Sequence, residues 1–205
     1  MKKNLIINIG RQFGSGGKEI AMILGRLLDI PVYDKELITK AAKDSGFSKE
    51  LFETMDEKKN FFSILTIGVE NFVNDNGLFK IQSETILNIA ENGPAIIVGR
   101  CSDYILRNHG NTVDVFITAP MEDRISRTMQ KENLSREEAE NLVNKKDHQR
   151  ESYYNYYTFG NWGTASNYDL CIDSSILGIA ETAGLLADYI RKVQTQKEHR
   201  RRSSG

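Results

Sequence analysis

Between Ile9 and Ile20 the chain reads Gly10-Arg11-Gln12-Phe13-Gly14-Ser15-Gly16-Gly17-Lys18-Glu19, and this segment limits the fold more than any other. It leaves an apolar run at residues 5–9 that suits a buried strand. It enters a run in which Ile20, Leu24, Leu27 and Leu28 fall on one face at helical spacing. A strand that feeds a helix through such a turn lets successive backbone N–H groups curl around a phosphate, with the positive helix end behind them. Glycines are needed because side chains would block that approach and because several positions require φ > 0.

The segment departs from the phosphate-binding pattern GxxxxGK[ST] in an informative way. If Gly16 is the last loop glycine, Gly17 stands at the lysine site and Lys18 replaces the Ser/Thr that would hold Mg2+. If Gly17 is the last glycine, Lys18 is the lysine, but Gln12 takes the first glycine site and Glu19 the hydroxyl site. The helical stripe beginning at Ile20 favours the first register. In neither register does a hydroxyl follow the lysine site.

Beyond the turn, short apolar or β-branched runs at 30–33, 95–98, 113–117 and 169–172 alternate with helical patterns, among them residues 83–92, 121–132 and 176–193. Such alternation implies right-handed βαβ units and a mainly parallel sheet. Two stretches exceed a plain crossover. Residues 45–92 separate the second and third strands, and residues 121–167, charged and then aromatic, separate the fourth and fifth. Long excursions on a parallel sheet are where mobile covers and lids are built. The 205 residues suit one domain, residues 1–195, followed by a solvated basic tail at 196–205.

Net charge is −1, which exerts no global pull on nucleic acid or on an anionic membrane, so neither is expected as a partner. The apolar start breaks at Asn8, short of a secretory core, and no run approaches a spanning helix. Cys101 and Cys171 form no CxxC unit, and His109, His148 and His199 show no metal-ligand spacing. A cytoplasmic protein with reduced thiols is the expectation.

Residues 11–21, then Tyr33-Asp34-Lys35-Glu36-Leu37-Ile38, resemble the cytidylate kinase-like family of P-loop proteins. So do Val98-Gly99-Arg100-Cys101-Ser102-Asp103-Tyr104, residues 153–162, and Tyr168-Asp169-Leu170-Cys171-Ile172-Asp173. The resemblance implies a three-layer α/β/α fold with a five-stranded parallel sheet, a helical monophosphate-binding insertion at 45–92 and a lid at 121–167. It also implies ATP and Mg2+, a nucleotide substrate, and an acceptor phosphate facing the Gly99-Arg100 site with Asp103 on the same loop.

The chemistry of the remaining candidates follows from their positions. Phosphoryl transfer needs positioning and charge neutralisation more than covalent help. Arg11, Gly14, Ser15, Gly16, Gly17 and Lys18 are the candidates for donor phosphates, with Lys18 also catalytic. Asp34, at the end of the second strand, can cap the following helix, bond acceptor or ribose hydroxyls, or hold a metal-bound water. Arg124 and Arg127 share a helix face, as do Lys146 and Arg150, and Arg forks suit phosphate oxygens. Arg124 and Arg150 are therefore the expected neutralisers of the transferring group. The aromatics of 153–162 suit lid docking or subunit pairing in a homodimer. With the resemblance, the expected activity is phosphoryl transfer from ATP to a nucleoside monophosphate, and the family makes cytidylate the first choice. The alternatives are a kinase for another small phosphate acceptor and a nucleotide-binding regulatory protein without catalysis.

Overall fold

A computed structural model describes residues 4–38 and 76–203. In chain order the elements are β1 (Ile6–Arg11), α1 (Gly17–Leu28), β2 (Val32–Tyr33), α2 (Asn76–Asn92), β3 (Ala95–Val98) and α3 (Ser102–Ile105). There follow β4 (Thr112–Thr118), α4 (Met121–Glu132), α5 (Arg136–Thr158), a 3-10 turn (Ala165–Asn167), β5 (Leu170–Asp173) and α6 (Ser174–Ser203). The strands form one all-parallel sheet in the order β2-β3-β1-β4-β5.

Alternation along β1 divides the core between the two faces of the sheet. Ile7 and Ile9 meet Ile20 and Leu24 of α1 and Leu186 and Ile190 of α6. Ile6 points the other way, toward Ile86 and Ala90 of α2, with Ala95 and Ile97 of β3 beside it. Both faces are thus covered by helices, as a parallel sheet requires. Each buried aliphatic side chain contributes about 1.5–3 kcal/mol. The all-parallel sheet and its helical layers are those expected from the alternation.

The strand limits differ by a residue or two, for local reasons. β1 runs on to Arg11 because its ladder with β4 continues through Gly10↔Phe116 and Arg11↔Ile117. β2 shrinks to Val32–Tyr33 because the Ile30 N–H turns back to the Gly25 carbonyl at 3.0 Å and Pro31 has no N–H. α6 bends at Gly178 and then carries on through the residues expected as a tail, as far as Ser203. Lys197 on that stretch donates to the Thr112 carbonyl at 2.8 Å.

Of the first excursion, residues 45–75 lie outside the described residues, and 76–92 form α2. The second excursion is α4, then α5, then the 3-10 turn. Ser135 caps α5 in a reciprocal capping box with Glu138, which fixes where the second helix starts. The aromatic end of α5 is packed inward: Tyr154 and Tyr157 are buried with Cys101, against Phe79, Tyr153 and Trp162. The Phe79 and Tyr157 rings stack at 4.0 Å. These rings dock α5 onto α2 and the end of β3, while Phe159 at the helix end stays exposed.

Candidate active site

The loop after β1 is held from outside by its carbonyls, which leaves its amides facing inward. Arg127 Nη1 donates to the Gly14 carbonyl at 2.6 Å, and the Ser174 hydroxyl donates to the Ser15 carbonyl at 2.6 Å. Gln12 is pinned to the top of β4: its N–H reaches the Ile117 carbonyl at 3.0 Å, and its side-chain oxygen accepts the Thr118 hydroxyl and the Ala119 N–H. Gly14 and Gly16 adopt φ of 76° and 78°, a region that side chains other than glycine's enter at a cost. The helix starts at Gly17, directly behind Gly16. Among the described residues the N–H groups of Gly14, Gly16, Gly17 and Lys18 meet no acceptor, so four donors and a helix N-terminus converge. Ser15 is fully buried and its hydroxyl turns to the Gln12 carbonyl at 2.9 Å, so it shapes the loop from within.

Beside the loop a cleft of about 340 Å³ opens at the carboxyl ends of β1, β2 and β3, with α5 as its far wall. Arg11, Lys18, Asp34, Arg100 and Arg150 border it. Arg100 stands at the end of β3 with φ of 62° and lies 5.7 Å from the centre of the Tyr153 ring. Arg150 reaches in from α5, donates to the Arg11 carbonyl at 3.1 Å and lies 5.4 Å from the Phe13 ring centre. Burial, opposed by Asp147 and reinforced by Arg100, brings the Arg150 pKa down to about 10. Burial together with Arg150 and Arg100 also pushes Arg11 well below its ordinary value. Arg11 and Arg150 are thus held among like charges, with Arg100 acting on both.

The carboxylates divide between structure and the cleft. Asp34 accepts the Leu37 N–H at 3.1 Å as a helix cap and also pairs with Lys18 Nζ at 2.7 Å, so two of its expected roles coexist. Burial works to raise the Asp34 carboxyl, but the bonds from Lys18 and the Leu37 N–H hold it below its ordinary range. The same bond raises the Lys18 pKa. Lys18 is therefore turned toward the end of β2 and not back over the loop. Asp103 accepts the Tyr154 hydroxyl at 2.7 Å, and burial raises its pKa.

Arg124 sits elsewhere than expected. It is 5% exposed, does not border the cleft, pairs with Asp147 of α5, and donates to the Ala119 and Phe13 carbonyls at 3.0 and 3.4 Å. Asp147 in turn accepts the Phe13 N–H at 2.7 Å. Arg124, Arg127 and Asp147 thus clamp the loop to α4 and α5, and Arg150 is the member of the expected cationic pair that reaches the cleft. Lys35 and Lys146 also border it. Lys35 was the residue to pick by its place at the strand end, one position after Asp34.

The residues present fit a phosphate chain but not an ordinary Mg2+ site. Position 18, where a hydroxyl ligand belongs, carries a cation engaged with Asp34. Among the described residues no three His, Cys, Asp or Glu side chains converge on a metal position.

Five parallel strands in this order, with a glycine-rich turn leading from the first strand into its helix, define the P-loop α/β class. The chain belongs to the cytidylate kinase-like family, whose model matches residues 6–176. A solved structure of an uncharacterised protein from Eubacterium ventriosum is similar at 28% identity and a TM-score of 0.73, covering 92% of this chain and 99% of that one. A gluconokinase from Sinorhizobium meliloti shares the fold at 10% identity and a TM-score of 0.58, covering 98% and 99%. A shikimate kinase from Acinetobacter baumannii, solved with shikimate, does so at 14% and 0.51, covering 92% and 94%. No curated protein matches the sequence. Among the described residues no helix is long and apolar enough to cross a membrane.

Proposed function

We propose that this chain transfers the γ-phosphoryl group of ATP to a small phosphate-bearing acceptor, a nucleoside monophosphate, with cytidylate the first to try. One observation carries the reading. Between Gly14 and Lys18 four loop amides meet no acceptor among the described residues, and the guanidiniums of Arg11, Arg100 and Arg150 border the adjoining cleft. That is donor-phosphate chemistry next to acceptor-phosphate chemistry. In this arrangement the amides hold the donor phosphates and Arg100 anchors the acceptor phosphate. Arg150 faces the group in transit, whose bond to the β-phosphate oxygen breaks as its bond to an acceptor oxygen forms, leaving ADP. Arg forks match those oxygens better than point charges do. The family name supports a nucleotide acceptor, whereas the gluconokinase and shikimate kinase neighbours show only that the same frame takes other small molecules.

A second reading, nucleotide binding without transfer, is favoured by one feature: Gly17 opens the helix where a loop lysine belongs. Steady-state turnover on a panel of nucleoside monophosphates, with ATP binding measured by calorimetry in parallel, separates the two. Transfer to one acceptor with micromolar to millimolar KM supports the kinase. ATP binding with no transfer to any acceptor supports the regulator, and no ATP binding overturns both.

A further inference from the structure

The ordinary loop places a lysine behind its last glycine, from where it reaches the β- and γ-phosphates. Here that first helical residue is Gly17, and nothing larger fits. A Cβ on Gly17 would lie 2.6 Å from Arg11 Cβ and 2.9 Å from Arg11 Cγ. The space over the helix start is already filled by the stem of Arg11. The far end of the same side chain is placed as closely, because a Cβ on Gly99 would lie 1.9 Å from Arg11 Nη1. Two glycines, one at the root of α1 and one at the end of β3, are thus fitted around one arginine. Counting back from Gly17, Arg11 itself occupies the position at which GxxxxGK begins with glycine. The glycine and the cation have exchanged places.

We infer that Arg11 does the work of the absent loop lysine, laying its guanidinium from the loop to the end of β3 to meet the terminal phosphates of a nucleoside triphosphate. This deepens the proposed function and rests on it. The other cations near the loop are engaged differently. Lys18 pairs with Asp34, Arg124 pairs with Asp147, and Arg127 binds the Gly14 carbonyl. Arg11 makes no ion pair and no side-chain hydrogen bond among the described residues, although it borders the cleft together with Arg100 and Arg150. A guanidinium stays charged in that company and offers a fork where a lysine offers a point. The stem is carried by β1, whose pairing with β4 extends through Arg11, so the cation comes from a rigid strand end.

The test is ATP affinity by calorimetry, with folding checked by circular dichroism, for the parent and four variants. Arg11→Met keeps the stem over Gly17 and removes the charge. It should weaken ATP binding about 10- to 100-fold, the weight of one or two charge-assisted hydrogen bonds. Arg11→Lys should recover part of that loss. Gly17→Lys alone should lose affinity, because the new side chain collides with Arg11. The exchange Arg11→Gly with Gly17→Lys restores the ordinary arrangement and should bind ATP within about tenfold of the parent. Rescue by a cation moved to position 17 is an outcome that a packing role for Arg11 would not give. If the exchange variant does not fold, the Met and Lys variants decide. Parent-like ATP affinity in Arg11→Met, or equal losses in Arg11→Met and Arg11→Lys, overturns the inference alone. A parent that does not bind ATP overturns the proposed function and the inference with it.

Discussion

Asp147→Ala removes a carboxylate that ties three elements together. One oxygen accepts from Arg124 of α4, the other accepts the Phe13 N–H of the loop at 2.7 Å, and Arg150 lies 4.0 Å away. Arg124 is 5% exposed, so the truncation strands a buried cation. Breaking a buried pair from one side costs about 3–5 kcal/mol. Two features favour the low end: the Asp147 side chain retains 17% of its surface, and Arg124 keeps its bonds to the Ala119 and Phe13 carbonyls. The expected loss is then about 3 kcal/mol. At about 2–4 °C per kcal/mol for a chain of this size, Tm should fall by about 6–12 °C. Replacing both partners by apolar residues, Arg124→Met with Asp147→Leu, should recover part of that loss, because the stranded Arg124 cation leaves with its partner while the Phe13 N–H still lacks its acceptor. Urea denaturation followed by circular dichroism measures all three proteins. A loss under about 1 kcal/mol in Asp147→Ala, or a double variant no better than the single, refutes the clamp.

Arg150→Ala should lower turnover about 100-fold or more, the cost of removing one preorganised donor, while ATP affinity changes far less. Arg150→Lys should recover only part of the rate, and unchanged turnover in the alanine variant removes Arg150 from the mechanism. Gly16→Val should abolish calorimetric ATP binding, since position 16 has φ of 78° and a Cβ there would lie 3.0 Å from Ile179. Parent-like binding in that variant would show that the loop is not the donor site. The Asp114 carboxyl is raised from 3.8 to about 6, first by burial and then by Asp103 and Asp169, against the bond from Asn8. Its folded-state pKa is the higher one, so the folded chain holds a proton that the unfolded chain releases. That contribution is full below about pH 4 and is lost as pH rises through about 6. Asp114→Asn should therefore stabilise the chain by about 1–2 kcal/mol at about pH 8, a gap that closes near about pH 4 in melts across that range. A gap that does not narrow with falling pH contradicts this.

What the sequence made legible was set by short-range periodicity. The apolar run at 95–98 became β3 with the same limits, and the polar-rich stripe at 121–132 became α4. The residues that end strands were legible too, because ligands gather at the carboxyl edge of a parallel sheet, and Asp34 and Arg100 stand there. Side-chain choices between distant elements were not. Arg124 and Arg127 share a face as their spacing requires. Yet only the fold reveals that Asp147, 23 residues from Arg124 and on another helix, turns that face into a clamp. Lys18 had two directions open to it, and the nearby Asp34 decided between them. The cover that Arg11 makes over Gly17 depends on β1 extending two residues past the apolar run, which pairing with β4 brings about.

In the proposed function, a donor site on the loop amides opens onto an acceptor site at the end of β3. A crystal structure with a non-hydrolysable ATP analogue and cytidylate measures this directly. The donor phosphates should lie on the N–H groups of Gly14, Gly16, Gly17 and Lys18. The Arg11 guanidinium should meet the terminal phosphate, and the acceptor phosphate should lie at Arg100. Analogue bound away from the loop, or a terminal phosphate that Arg11 does not touch while the loop is filled by some other group, would overturn this arrangement.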